Sequence, residues 1–527
     1  MNDISELNYV RWIIAFLPVL IFVLLITTSK VGSSLAGIIS LLIACSIAAT
    51  TFGSPLTLII YGSLKGISLS FFVLIIIWAS VFLYNLLNEL GAIDVIGNYL
   101  ISIGGGINNK GLLLGWCTSG FIQGITGFGV PVAVVAPLMV AIGLPLMKSV
   151  TAVLVGHAWA VTFGSIGSSY YALYLVTGIN EPILSMRLAV MFILPVILTG
   201  YAVAHILGGW KFVIESFPFV LFIGICMSGC ILLVVNLSIP QMASTLPASI
   251  GILLGIPLIK YTTETEDALN QGHKKNIWQR IYKFRFIFGA FSPYAVLILL
   301  SLLSRLKFMK RIEEQLSWGF SFPAQITDLG YKVESVSNFA SISVVTHPGI
   351  LIVFSSFITY LIYRYFGLWK TGSFLIAIKS TFHQSYKSSI AIMLIVMMAM
   401  VMVDAGMVNM LAEGTAKITS YTFPFFSPFI GGFGTFLTGS NTNSNLLFGA
   451  LQIQTALSIG MIPVTFASAQ SIGASLASAI APAKILVGTT LVGIAGKEGE
   501  VLKKAFPYCI LLIISVGIET LLFAFFE

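Results

Sequence analysis

Residues 120–131 read GFIQGITGFGVP, four glycines and a proline set between apolar runs. The chain around them is 57% hydrophobic and 9% charged, with a mean hydropathy of +1.00. Glycine-rich backbone cannot hydrogen-bond to lipid, so an interrupted helix at membrane depth is tolerated only where protein or a polar cavity surrounds it. The segment therefore points to a solute site. A nucleotide loop is excluded by the lack of GxxxxGK[ST] and of any βαβ setting. Glycines 120, 124, 127 and 129 leave amides unobstructed, and Pro131 fits the first turn of a helix that starts there. Such a helix end can receive a small anion.

The chain has 527 residues but only 27 Lys+Arg and 19 Asp+Glu, too few charges to cover several soluble domains. Eighteen of these charges lie between Lys260 and Glu334, leaving long apolar stretches on either side. Hydropathy gives an all-α, polytopic membrane protein with about twelve to fourteen transmembrane helices. The expected division is an N-terminal transmembrane half (1–259), charged loops around one span (260–348) and a C-terminal transmembrane half (349–527). Residues 12–28 read as a retained first span rather than a signal peptide. The net charge of +8 is dispersed at the ends of apolar runs, where anionic headgroups rather than nucleic acid are the neighbours. Cysteines 45, 117, 226, 230 and 509 lack metal spacing, and no HExxH or GxSxG occurs. No cofactor, metal or enzyme chemistry is expected.

An internal echo links the two halves. Thr126-Gly127, then Gly143-Leu144-Pro145, then the Gly/Ser cluster 164–169 recur in order as Thr438-Gly439, Gly460 with Pro463, and residues 471–475. Pseudo-symmetric halves, each supplying a discontinuous helix to a shared midplane site, are a recurrent transporter plan. The second polar cluster, TGSNTNSN at 438–445, would be costly facing lipid and is expected to line a pathway or to bond across helices.

Isolated ionisable residues add coupling candidates. His157 and Asp404 sit within apolar runs and are candidates to carry a proton. Lys484, before a run of small residues, is a candidate to balance a carboxylate.

With these motifs in hand, GFIQGITGFGVPVAV (120–134) together with SPFIGGFGTFLTGSNTNSNLLFGALQ (427–452) resembles the L-lactate permease family of secondary transporters. The resemblance implies uptake of L-lactate and related 2-hydroxy monocarboxylates, glycolate and D-lactate, by proton symport across the cell membrane. The family's first motif maps onto Gln123, Gly124, Gly127, Phe128, Gly129 and Pro131, and its later one onto Thr438 to Thr442, Ser444 and Asn445. Its GKE-like ending maps onto residues 496–498. Two departures stand out. Where many members carry LxANTxPVxFGxxGxP, residues 154–169 read LVGHAWAVTFGSIGSS, and Asp404 precedes Ala-Gly-Met where a neutral polar residue before SGM is common.

The expected substrate contacts are Gln123, Gly124, Gly127, Phe128 and Gly129 on one side and Ser440, Asn441 and Asn445 on the other. Expected partners are a small monocarboxylate, protons and lipids. Alternatives are a channel for small carboxylates, a transporter of another organic anion and, in a different class, a membrane scaffold or receptor.

Overall fold

A computed structural model describes residues 8–28, 32–93, 95, 105–127, 129–267 and 277–526. Among the described residues the fold is all-α apart from four short strands. Helices α1 (Tyr9–Thr28), α2 (Ser33–Thr50) and α3 (Leu56–Glu89) open it, each apolar on nearly every face. In hydrocarbon only a helix satisfies all of its own backbone groups, which is why such runs adopt one form. Among the described residues nine helices are long and apolar enough to cross a bilayer, or up to eleven if each of two bent pairs is one span. The expectation was twelve to fourteen. One of the nine covers Glu181–Asn236, 56 residues, and is interrupted at Gly209 (φ 67°, ψ −166°). At 1.5 Å per residue it would be about 84 Å long if straight, far beyond a hydrocarbon core of about 30 Å.

Four interruptions follow one order in the two parts of the chain. After α4 (Ile107–Leu112) and a π turn, α5 (Ser119–Ile125) stops at Thr126. Gly127 (φ 65°) and Gly129 (φ 82°) turn the backbone, and α6 (Val130–Ala141) begins with Pro131 in its first turn. Next, α7 (Leu146–Gly156) gives way at His157 to a 3-10 turn, Ala158–Ala160, and then to α8 (Gly164–Thr177), bent by 49°. Further on come α9 (Glu181–Met191), α10 (Ile193–Asn236), α11 (Thr245–Asp267), α12 (Ile277–Leu303) and α13 (Lys307–Gln315).

Strands β1 (Ser317–Phe322) and β4 (Val336–Ser343) pair antiparallel, with Ser317 opposite Ser343, and enclose a second antiparallel pair, β2 (Gln325–Ile326) with β3 (Lys332–Val333). They lie on the α2–α3 turn and the first half of α3: Asp328 N donates to Gly53 O (2.8 Å), Ser68 Oγ donates to Phe339 O (3.3 Å), and Phe322 meets Tyr61 edge-on.

The remaining helices are α14 (Pro348–Tyr365), α15 (Ser373–Asp404), α16 (Met407–Thr419), α17 (Phe423–Thr438), α18 (Asn441–Ser458), α19 (Pro463–Ala477), α20 (Pro482–Leu491) and α21 (Glu498–Phe526). Gly439 (φ 72°) separates α17 from α18, and a 3-10 turn, Ser478–Ile480, separates α19 from α20. Helices α17 and α19 cross so closely that a Cβ on Gly431 or Gly473 would strike the carbonyl of Gln470 or Pro428. Small residues permit such contact where lipid offers no competing hydrophobic drive. The broken segments sit in the core, where Trp116, Trp159, Tyr170, Phe121 and Phe163 are fully buried.

Candidate functional site

The 438–445 cluster faces protein. Gly439 ends α17, and the Ser440 hydroxyl caps α18 by accepting from Asn443 N (3.3 Å), as serine does at helix starts. This capping sends Asn441, Thr442 and Asn445 toward α8 and α19. Asn441 Nδ2 donates to Thr162 Oγ1 (3.0 Å) and Ser471 O (3.4 Å); Asn445 Nδ2 donates to Ser169 O (3.0 Å) and Ser471 Oγ (2.9 Å). Thr162 in turn donates to Ser471 O (2.9 Å), and its amide reaches Ser475 Oγ (3.2 Å). Ser169 and Thr442 share a hydroxyl bond of 2.8 Å.

Carbonyls only accept, so Ser471 O and Ser169 O fix which end of each asparagine amide points at them. Consequently Oδ1 of both Asn441 and Asn445 is a buried acceptor with no donor. A buried polar atom left so costs about 1–3 kcal/mol.

Beside this seam is a closed network. Gln470 Nε2 donates to Ser444 Oγ (3.0 Å), Gln452 Nε2 donates to Gln470 Oε1 (2.9 Å) and Ser427 O (3.0 Å), and Ser444 Oγ donates to Gly431 O (2.7 Å). These bonds serve α17–α18–α19 packing.

The glycine break lies across from α8. Ser165 Oγ donates to Thr126 O (3.1 Å), tying the first interruption to the second. Gln123 is buried, with its Oε1 unpartnered and its amide nitrogen against Gly164. The glycines divide by role. Gly124 packs against Thr245, where a Cβ would lie 2.8 Å from the backbone nitrogen, and Gly127 packs on Ser165. Gly129 is open, its nearest neighbour the Lys484 Cγ at 3.9 Å from a built Cβ. Phe128 lies outside the described residues. A cavity of about 400 Å³ adjoins this break, lined by Thr126, Gly129, Val130 and Ala133 together with Tyr84, Gln384, Ser385 and Val487. It is large enough for a three-carbon acid and has polar groups on its wall.

His157 and Lys484 come together. His157 Nδ1 lies 2.7 Å from Val153 O, which can only accept, so the ring proton sits on Nδ1. Its Nε2 lone pair faces Lys484 Nζ at 3.5 Å. Lys484 is 7% exposed and occupies the first turn of α20.

Asp404 is placed elsewhere: at the end of α15 its Oδ2 pairs with Lys65 Nζ of α3 at 2.9 Å, beneath Phe322. Sequence reasoning does not find Lys65, nor Thr162, Ser169 and Ser471 as bonding partners. The signals were a lysine flanked by apolar residues and the small-residue clusters that echo one another.

A family model described as L-lactate permease matches residues 11–526. The L-lactate permease of Bacillus subtilis (strain 168) is 28% identical over 545 residues, covering 96% of this chain and 95% of that protein. The glycolate permease GlcA of Escherichia coli (strain K12) is 27% identical over 550 residues, covering 97% and 95%. An L-lactate permease of the same Escherichia coli strain is 24% identical over 550 residues, covering 97% and 96%.

Proposed function

The chain belongs to the L-lactate permease family, and from that premise we propose that it carries L-lactate and related small 2-hydroxy monocarboxylates, glycolate and D-lactate, across the cell membrane by proton symport. The carboxylate is received at the Gly127–Gly129 turn, where the start of α6 and the Lys484 ammonium supply positive potential. The 2-hydroxyl is read at the seam of Ser440, Asn441 and Asn445. A proton held at His157 or Asp404 offsets the anion's charge while the loaded carrier reorients.

The observation that carries this reading is the pair of buried, donorless acceptors, Asn441 Oδ1 and Asn445 Oδ1. A hydroxyl group donates where these atoms only accept, which favours a 2-hydroxy acid over an unsubstituted one. The recurring order of a glycine turn followed by a 3-10 interruption supports two pseudo-symmetric halves, 1–259 and 349–527, moving about that site. In this reading Glu181–Asn236 counts as two spans divided at Gly209 and the glycine-broken segments count as further spans, for a proposed total of twelve to fourteen.

The test is uptake of labelled L-lactate into proteoliposomes in competition with unlabelled acids. Saturable uptake inhibited by glycolate and D-lactate, and far less by propionate, is the expected result. Equal inhibition by propionate would remove the hydroxyl-reading role of the seam.

A further inference from the structure

Lys484 is a buried group whose surroundings are electrostatically incomplete. Among the described residues it has no acidic partner within 4.0 Å, and its neighbour is the neutral face of His157. Two helix starts add to the positive potential. Helix α20 begins at Pro482, two positions before the lysine, and α6 begins at Val130, directly after Gly129, which adjoins the lysine stem. Each start carries roughly +0.5 of an elementary charge.

The elements packed against α20 do not compensate. Helix α6 carries no ionisable side chain. Helix α7 brings Lys148, whose Nζ is committed to Leu207 O at 2.7 Å, and His157 at its end. Helix α21 brings Glu498, occupied by Thr489 Oγ1 (2.8 Å) and Gly496 N (3.0 Å), and Cys509, bonded to Leu476 O. It also brings Tyr508, bonded to His205, the exposed Glu500, Lys503 and Lys504, and Glu519 near its end. An ammonium so placed needs an anion or must give up its proton.

The pair itself has room for one mobile proton. His157 Nδ1 is committed to Val153 O, so the proton is either on Lys484 Nζ, donated to Nε2, or on Nε2. Two cations 3.5 Å apart in a dry interior exclude one another. Asp404, neutralised by Lys65, adds no net charge to the balance.

Resting on the carrier reading above, we infer that the Lys484–His157 pair is the proton-carrying element: the pair and a monocarboxylate take up one proton together, so one proton crosses with each substrate and the cycle moves no net charge. The loaded site holds an ammonium against a carboxylate and sums to zero. After release of the acid the proton leaves as well, and the empty site returns as neutral amine and neutral imidazole. The intermediate with a proton and no carboxylate carries a naked buried cation and does not reorient. Uptake without substrate, a proton leak, is thereby suppressed.

The experiment uses the intact wild-type protein in proteoliposomes with the membrane potential clamped by potassium and valinomycin. With one proton per carboxylate, an inward gradient of one pH unit sustains about a tenfold accumulation of L-lactate. That ratio is expected to be the same at zero and at inside-negative potential. A ratio near a hundredfold, or one that rises with inside-negative potential, would overturn the assignment.

A second measurement uses Lys484→Arg, which keeps the charge and cannot release it. It is expected to exchange labelled for unlabelled lactate across the membrane at a reduced rate, because the lysine also faces the carboxylate, while its gradient-driven accumulation falls to a ratio near one. Accumulation by Lys484→Arg at the wild-type ratio would equally overturn it. Should the variant fail to fold, the wild-type measurement still tests the one-proton cycle that the pair requires, and a ratio near a hundredfold or one that rises with inside-negative potential overturns the assignment. Absence of saturable lactate uptake by the wild-type protein would be a different failure, that of the carrier reading itself.

Discussion

Lys65 Nζ and Asp404 Oδ2, 339 positions apart in the chain, meet at 2.9 Å with 4% and 6% of their side chains exposed. Helices α3 and α15 run side by side to bring them there, and Gly62 and Gly66 allow the approach, since a Cβ on Gly66 would press into the backbone of Met397. The strands over this end of α3 close the pair off, with Phe322 above the lysine and Tyr331 against Gly406. Such a pair is held by mutual neutralisation in a place where neither charge could stand alone.

Removing one partner is therefore worse than removing both. Lys65→Met or Asp404→Asn alone is expected to cost about 3–5 kcal/mol, because an uncompensated buried group remains. The double substitution Lys65→Met with Asp404→Met recovers most of that loss and keeps gradient-driven accumulation. Thermal unfolding in detergent and proteoliposome uptake check the two halves of this expectation. A folded double variant that had lost proton coupling would return Asp404 to the coupling role.

The two glycine turns respond differently to substitution. At Gly439 the backbone is left-handed but the space is open, the nearest atom being Ala483 Cβ at 3.9 Å, so Gly439→Ala costs only the backbone strain of about 1–2 kcal/mol. Asparagine visits this conformation more readily, and Gly439→Asn is expected to fall between glycine and alanine. Gly127→Ala adds a collision with Ser165 to the same strain. It is expected to abolish transport at expression levels where Gly439→Asn still transports.

The seam and the neighbouring glutamine network separate binding from stability. Asn441→Ala removes the acceptor proposed for the 2-hydroxyl, and the KM for L-lactate is expected to rise about tenfold, the equivalent of about 1.4 kcal/mol, while inhibition by propionate stays unchanged. A uniform loss for both acids would make the residue structural only.

Gln470→Leu acts on the other side of that division. It deprives Ser444 O of a donor and Gln452 Nε2 of an acceptor, and is expected to cost about 1–3 kcal/mol in thermal stability with KM for L-lactate unaltered. A raised KM with unchanged stability would place Gln470 in the substrate site instead.

The parts of this fold legible in the sequence are those whose cause is local. Four glycines in twelve residues announce a backbone that leaves the helix, and Gly127 and Gly129 do so at positive φ. Thr438 to Asn445 announce a polar seam because nothing else in a lipid-facing run would keep them. Both breaks lie where the composition changes. The pairings were not legible: His157 and Lys484 are 327 positions apart and Lys65 and Asp404 are 339 apart, and no periodicity encodes which half-helices pack together. Asp404 and His157 looked equivalent as isolated ionisable residues. Their partners separate them, one neutralised by a lysine and the other facing one. The strands at 317–343 leave little trace in the sequence because two are only two residues long and the ladder is interrupted by register shifts on either side of Phe320.

The measurement that tests the account most directly is accumulation of labelled L-lactate by the purified protein in proteoliposomes, with an inward proton gradient, without one, and with a protonophore. Uphill, saturable accumulation that follows the gradient and collapses with the protonophore is the predicted result. Equilibration to the outside concentration and no further, whatever the gradient, would contradict proton symport and leave a passive carboxylate pathway in its place.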